Sequence, residues 1–175
     1  MPKRAREIWY ALAAIVAVTA LYVLAYLQAD AFPAASSLVG HGIGIAGSVL
    51  MLMTATLYSI RKLRSSARWG STAWWLKCHM VTGLVGPYMV LLHTAMRFQG
   101  LAGLTMLLTV IVVVSGLVGR YLYTAVPRTP GDAAAATKRK AAATWHIVHL
   151  PLTWALFAAA FIHVVAALYY STLQR

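Results

Sequence analysis

An all-α integral membrane protein with five transmembrane helices is the fold class this sequence predicts. Three observations lead to it. The chain of 175 residues is 61% hydrophobic and only 10% charged, where soluble domains carry about 25% charged residues. Five apolar runs reach the roughly 20 residues that a membrane-spanning helix needs. Lysine and arginine collect between alternate runs, which is the pattern that membrane topology imposes.

The first run, 8–29, follows Met1-Pro-Lys-Arg-Ala-Arg. That basic start has the charge of a signal peptide, but the apolar run exceeds the roughly 7–15 residues of a signal h-region, so a retained anchor helix is expected. A short turn, Asp30 to Ser37 with Pro33, leads to the second run, 38–60. Arg61 to Gly70 is a basic connection to the third, 73–96, and Arg97 to Gly100 a tight one to the fourth, 102–124. Pro127 to Lys140 is the longest connection. Its alanine run has helix propensity, but polar surroundings make it a loop feature and not a span. The fifth run is 144–171. Residues 1–37 are expected to form an anchor helix and turn, and 38–175 a four-helix bundle.

Counting basic residues gives the orientation. One side receives Lys3, Arg4, Arg6, Arg61, Lys62, Arg64, Arg68, Lys77, Arg120, Arg128, Lys138, Arg139 and Lys140; the other receives Arg97 and Arg175, thirteen against two of the 15. The N-terminus is expected in the cytoplasm and the C-terminus across the cell (inner or plasma) membrane. The net charge of +12 therefore reads as topology. Nucleic acid is not an expected partner, because these charges fall between apolar runs and do not line one surface. One bundle accounts for the length and leaves no room for a separate nucleotide-binding or flavin domain.

Cys78 is the single cysteine. Disulfides within the chain are excluded, and so is a thiolate-held iron–sulfur cluster, which takes about four Cys. No Cys-x-x-Cys-His occurs for covalent haem attachment. With no other Cys near it, Cys78 beside His79 reads as a small buried apolar residue, not a metal ligand.

The chemistry lies in the histidines. His79 and His93 stand fourteen residues apart in the third run, and His149 and His163 fourteen apart in the fifth. Fourteen residues make close to four turns at about 3.6 residues per turn, and about 21 Å at roughly 1.5 Å per residue. Both members of a pair therefore share a helix face. The third and fifth of five alternating spans run in the same direction. His79 and His149 then share a level near the cytoplasmic side, and His93 and His163 one near the outer side. Ionisable side chains at membrane depth are costly and read as functional by default. Pairs matched in spacing, face and depth are what two stacked b-type haems require, each iron held between neutral imidazoles from the two helices. The competing reading makes these four unrelated residues that bridge helices by hydrogen bonds. Equal intervals and matched depth weigh against it.

Smaller features surround the four. Gly83 and Gly86 lie between His79 and His93 on the same face, where they give a macrocycle clearance or simply pack helices. Thr153 and Ala160 stand four and eleven residues after His149 on its helix face, and Ser115, Gly116 and Gly119 are further small residues of the fourth run that face the same cofactor or simply pack helices. Pro87 and Pro151 fall inside the ligand helices, where proline kinks a span. Arg97, one turn beyond His93, and Arg120, near the cytoplasmic end of the fourth run, are candidates for the haem propionates, against interfacial snorkelling. His41, in Gly-His-Gly-Ile-Gly at the outer start of the second run, is a propionate contact, a quinone ligand, an alternative iron ligand or an interfacial structural residue. His146 is the alternative to His149, but its interval of seventeen to His163 breaks the symmetry.

His79-x13-His93 and His149-x13-His163, on parallel spans separated by one antiparallel span, resemble the four-helix haem core of the cytochrome b in quinol–cytochrome c oxidoreductases. His79-Met-Val-Thr-Gly with His93, and Trp145-x3-His149 with His163, also resemble the ferric reductase-like transmembrane domain. The similarity covers roughly residues 38–171 and is specific in ligand spacing. It implies two non-covalent haems b that pass electrons between membrane faces, to or from a quinone or a partner redox subunit. This chain departs from the pattern by having no flavin or nicotinamide module after the bundle and none of the further quinol-site helices of the longer cytochrome b. Direct NAD(P)H-driven reduction is therefore not expected of it.

Coordinative closure by two histidines suits electron transfer over oxygen activation, which needs an open position. The expected function is that of a membrane-spanning electron-transfer subunit. Its rivals are a quinone-reactive anchor subunit, a histidine-containing transporter and a structural assembly factor without pigment. A transporter predicts acidic partners or broken helices near the midplane; Glu7, Asp30 and Asp132, the three acids, lie at span ends or in loops.

Overall fold

Apolar runs of this length satisfy their backbone polar groups internally by forming helices, and the computed structural model is built accordingly. It describes residues 6–29, 34–63, 70–125 and 133–173. Among these there are five α-helices and no strand: α1 (Arg6–Ala29), α2 (Leu38–Leu63), α3 (Thr72–His93), α4 (Gly100–Ala125) and α5 (Ala133–Leu173). All five are long and apolar enough to cross a membrane. The expected tail at residues 1–5, turn at 30–33, connection at 64–69 and loop at 126–132 lie outside the described residues.

The helices carry apolar surface all round. Val16, Leu38, Trp154 and Phe161 are 67%, 92%, 70% and 70% exposed. In water such surface drives association; in lipid it is solvated, as befits a multi-pass membrane protein.

Two compact units divide the chain, Met1–Arg97 and Phe98–Arg175. In the first, α3 packs against both α1 and α2. Ser37 starts α2, its hydroxyl accepting from the Gly40 N–H at 3.0 Å. Ser71 starts α3 in the same way, accepting from the Trp74 N–H at 3.2 Å. These N-caps satisfy donors that a helix start leaves open. α1 joins α3 through a 2.6 Å hydrogen bond between the hydroxyls of Thr19 and Tyr88. Glu7, in the first turn of α1, is 2% exposed, at the helix end where the dipole favours a carboxylate.

α3 ends three residues earlier than its apolar run suggests. The Thr94 N–H bonds back to the carbonyls of Val90 and Leu91, and Ala95 and Met96 then take left-handed φ values of 47° and 61°. His93 is thus the last residue of α3, and Arg97 lies beyond a turn and not on the helix. Pro87 sits inside α3 without ending it.

In the second unit, α4 packs on α5 around Leu156 and Thr109, which are 2% and 1% exposed. α5 corrects one expectation. The alanine run and Lys138-Arg139-Lys140 are helical, the first turns of a 41-residue helix that contains Pro151. Alanine has the highest helix propensity, and lysine and arginine are good formers. With neither Gly nor Pro between Ala133 and Leu150, nothing stops the span's helix from continuing toward its N-terminus. At roughly 1.5 Å per residue α5 is about 61 Å long, more than an apolar core of about 30 Å accommodates.

Candidate functional site

The first unit gathers His79, Gly83, Gly86, His93 and His41 along the seam between α2 and α3. His79 Nδ1 lies 2.9 Å from the Thr54 carbonyl oxygen, and His93 Nδ1 lies 2.8 Å from that of Gly40. Midway, Gly47 and Gly86 bring the helix backbones together. A Cβ on Gly47 would stand 2.8 Å from the Gly86 oxygen, and one on Gly86 would stand 3.0 Å from the Gly47 oxygen. The pairs run in opposite directions, Gly40 with His93, Gly47 with Gly86, Thr54 with His79. Every step is seven residues on both helices, the repeat that keeps one stripe in contact along an antiparallel seam.

Carbonyl oxygens only accept, so each imidazole bears its hydrogen on Nδ1 and donates it to α2. In the neutral ring the lone pair then belongs to Nε2, directed away from that carbonyl. A histidine that binds a metal almost always has its other nitrogen held in this way, which fixes the ring and raises its basicity. The same seam explains the Gly-His-Gly-Ile-Gly stretch. Gly40 supplies the acceptor, and Gly44 supplies the space, since a Cβ there would stand 2.7 Å from His93 Cγ. The exposed His41 ring lies 6.2 Å from that of His93, and its Nδ1 lies 3.2 Å from the Ser37 oxygen. Gly83 also faces α2, its Cβ position 3.4 Å from Thr54 Cγ2. The contacts described for Gly83 and Gly86 are those of helix packing. Cys78 is half-buried, and Arg97 is exposed.

Gly44→Ala therefore has an expected outcome that Gly42→Ala lacks. At Gly42 a Cβ would meet nothing within 4 Å. At Gly44 the new methyl pushes the His93 ring off the Gly40 carbonyl. Each change gains about 1 kcal/mol of helix propensity; Gly42→Ala is expected to hold or raise thermal unfolding, whereas at Gly44 the displaced ring and lost hydrogen bond offset that gain. Only Gly44→Ala is expected to alter a histidine resonance assigned by NMR to His93.

The second unit builds around His149. Its Nδ1 lies 3.0 Å from Ser115 Oγ on α4, and its ring stacks on Trp145 with centroids 4.9 Å apart and planes at 24°. The Trp145 indole N–H donates to the Ser115 carbonyl at 2.7 Å. Gly119 makes room, because a Cβ there would run into the Trp145 indole, and a Cβ on Gly116 would stand 3.8 Å from His149 Cε1. Ser115, Gly116 and Gly119, read from the sequence as facing a cofactor or packing helices, adjoin Trp145 and His149. His146 meets the indole edge-on at 6.0 Å. Thr153 bonds back to the His149 carbonyl at 2.8 Å. His163 is half-buried fourteen residues further along α5, and Arg120 is half-buried beside Gly119 on α4.

Four contributors escaped the sequence reading: the Gly40 and Thr54 carbonyls, Gly44 as clearance for His93, and Trp145 as a stacking partner. One signal for the first two was present. Gly40-x6-Gly47-x6-Thr54 repeats the interval of His79-x6-Gly86-x6-His93. Among the described residues no group of three or more His, Cys, Asp or Glu side chains gathers as a site for a bare metal ion. Comparison with protein-family models, with curated proteins and with solved structures finds no match to this chain.

Proposed function

We propose that this chain is a di-haem b-type membrane cytochrome that carries electrons across a bilayer, similar in plan to the haem core of cytochrome b in quinol–cytochrome c oxidoreductases. His79 and His149 would hold one haem and His93 and His163 the other, an assignment that rests on the equal fourteen-residue intervals. The observation that carries the reading is the state of the α3 histidines. Both donate Nδ1–H to main-chain carbonyls of α2, an arrangement that in the neutral ring leaves the lone pair on Nε2, the donor that haem iron takes. Bound there, haem iron supplies one-electron chemistry between ferric and ferrous states with no open position for oxygen.

The chain's own part is to hold these rings and exclude water. The α2 carbonyls set the plane of each α3 imidazole and its electron-donating strength. Gly47 and Gly86 keep α2 close enough for both bonds to form. Arg97, exposed just past His93, would meet an anionic propionate at the outer level, and Arg120 one at the inner level. The basic residues put the N-terminus in the cytoplasm of a cell membrane. Donor and acceptor are then a quinone or a partner redox protein at the two faces.

Reduction of the purified protein with dithionite is expected to give the visible bands of haem b, and haem extraction a ratio near two per chain. A correctly assembled colourless preparation overturns this function.

A further inference from the structure

The two halves hold their histidines by different means. On α3 both acceptors are main-chain oxygens, whereas His149 meets a side-chain hydroxyl, Ser115 Oγ, at 3.0 Å. We propose that Ser115 and Trp145 are positioning residues for His149, with the Ser115 hydroxyl setting the electron-donating strength of its ring and Trp145 fixing the ring plane. This rests on the functional reading above, in which His149 Nε2 is the ligating atom. With the lone pair at Nε2 committed to iron, Nδ1 keeps its proton and donates it to Ser115 Oγ. A hydroxyl takes either role in a hydrogen bond, so it accommodates this one.

The stack and the bond depend on one another. Ser115 receives the indole N–H on its carbonyl and the imidazole on its hydroxyl, so a single residue of α4 sets both rings. Gly119 permits it, since any side chain there would occupy the indole's place. The imidazole plane is thereby fixed by its 24° stack and by one directed bond. A histidine that only filled space would need neither.

The bond from Nδ1–H pushes electron density toward Nε2 and favours the ferric state. Its loss therefore raises the reduction potential. Changes to such outer partners alter metal affinity roughly 10–100-fold. A tenfold loss of preference for ferric over ferrous corresponds to about 59 mV for a one-electron couple.

The test is a redox titration of the full-length protein, with electron paramagnetic resonance of its ferric form. Ser115→Ala is expected to raise the potential of one of the two haem components and move its low-spin signal, leaving the other in place. Ser115→Thr, which keeps a hydroxyl, is expected to restore both. Trp145→Phe keeps a ring but loses the indole N–H, and is expected to broaden the same signal. If Ser115→Ala loses haem, Ser115→Cys is read in its place: a smaller upward shift of one component supports the proposal, and unchanged potentials overturn it. A two-haem parent whose Ser115→Ala variant keeps both potentials and both signals overturns this proposal alone. A parent without a haem spectrum overturns the function on which it rests.

Discussion

Replacing His163 by alanine is expected to leave a folded protein that carries one haem where its parent carries two. The lost centre is the one that His163 shares with His93 in the proposed assignment; the retained one uses His79 and His149. The pairs are separated by fourteen residues on each helix, about 21 Å along the axis. Sites further apart than about 7–10 Å without shared partners behave independently, so the inner pair is spared. Haem-to-protein ratio falls by half, redox titration resolves one component, and helical circular dichroism is unchanged. Electron passage across a vesicle membrane, measured with an impermeant donor and a trapped acceptor, falls to background. His146→Ala, in the same helix, keeps both centres. Equal loss of both haems from folded His163→Ala protein contradicts the pairing.

Gly86→Leu is expected to act oppositely, lowering both centres together. Its Cβ would lie 3.0 Å from the Gly47 oxygen, 3.0 Å from Met51 Cγ and 3.2 Å from the Met51 nitrogen. Two of those atoms are main chain and cannot swing aside, so α2 and α3 must part. Overpacking of this kind costs about 1–3 kcal/mol. The bonds of His79 and His93 lie seven residues to either side of the contact, and both lengthen when the helices separate. Thermal unfolding moves down and haem content falls without preference for one component. Unchanged unfolding and full haem content would show that the backbones do not meet at this point.

Each apolar run was legible because membrane-spanning length and composition are properties of the chain itself. Boundaries were less so. Thr94-Ala95-Met96 is as apolar as the helix before it, and nothing in those side chains announces two left-handed residues. At Ala133 the opposite error arose: polar neighbours suggested a loop, where alanine propensity and the absence of a breaker extend α5. The interval between His79 and His93 told that they share a face. It did not by itself tell that α2 lies along that face; the matching Gly40-x6-Gly47-x6-Thr54 interval was the one signal, because a main-chain acceptor needs no particular side chain. Gly40 and Thr54 serve as acceptors through atoms that every residue has. Ser115 and Gly119 were visible as small residues of α4, but their roles depend on which indole and which imidazole they adjoin.

Main-chain acceptors also decide what kind of genetic change α2 withstands. Substitution anywhere along it leaves the Gly40 and Thr54 oxygens present, provided the closely packed glycines stay small. Inserting or deleting one residue between Gly47 and Thr54 is different: it rotates one end against the other by about 100° and slides it by about 1.5 Å. One imidazole would keep its anchor and the other would lose it. α2 works as a ruler, and its graduation matters more than its lettering.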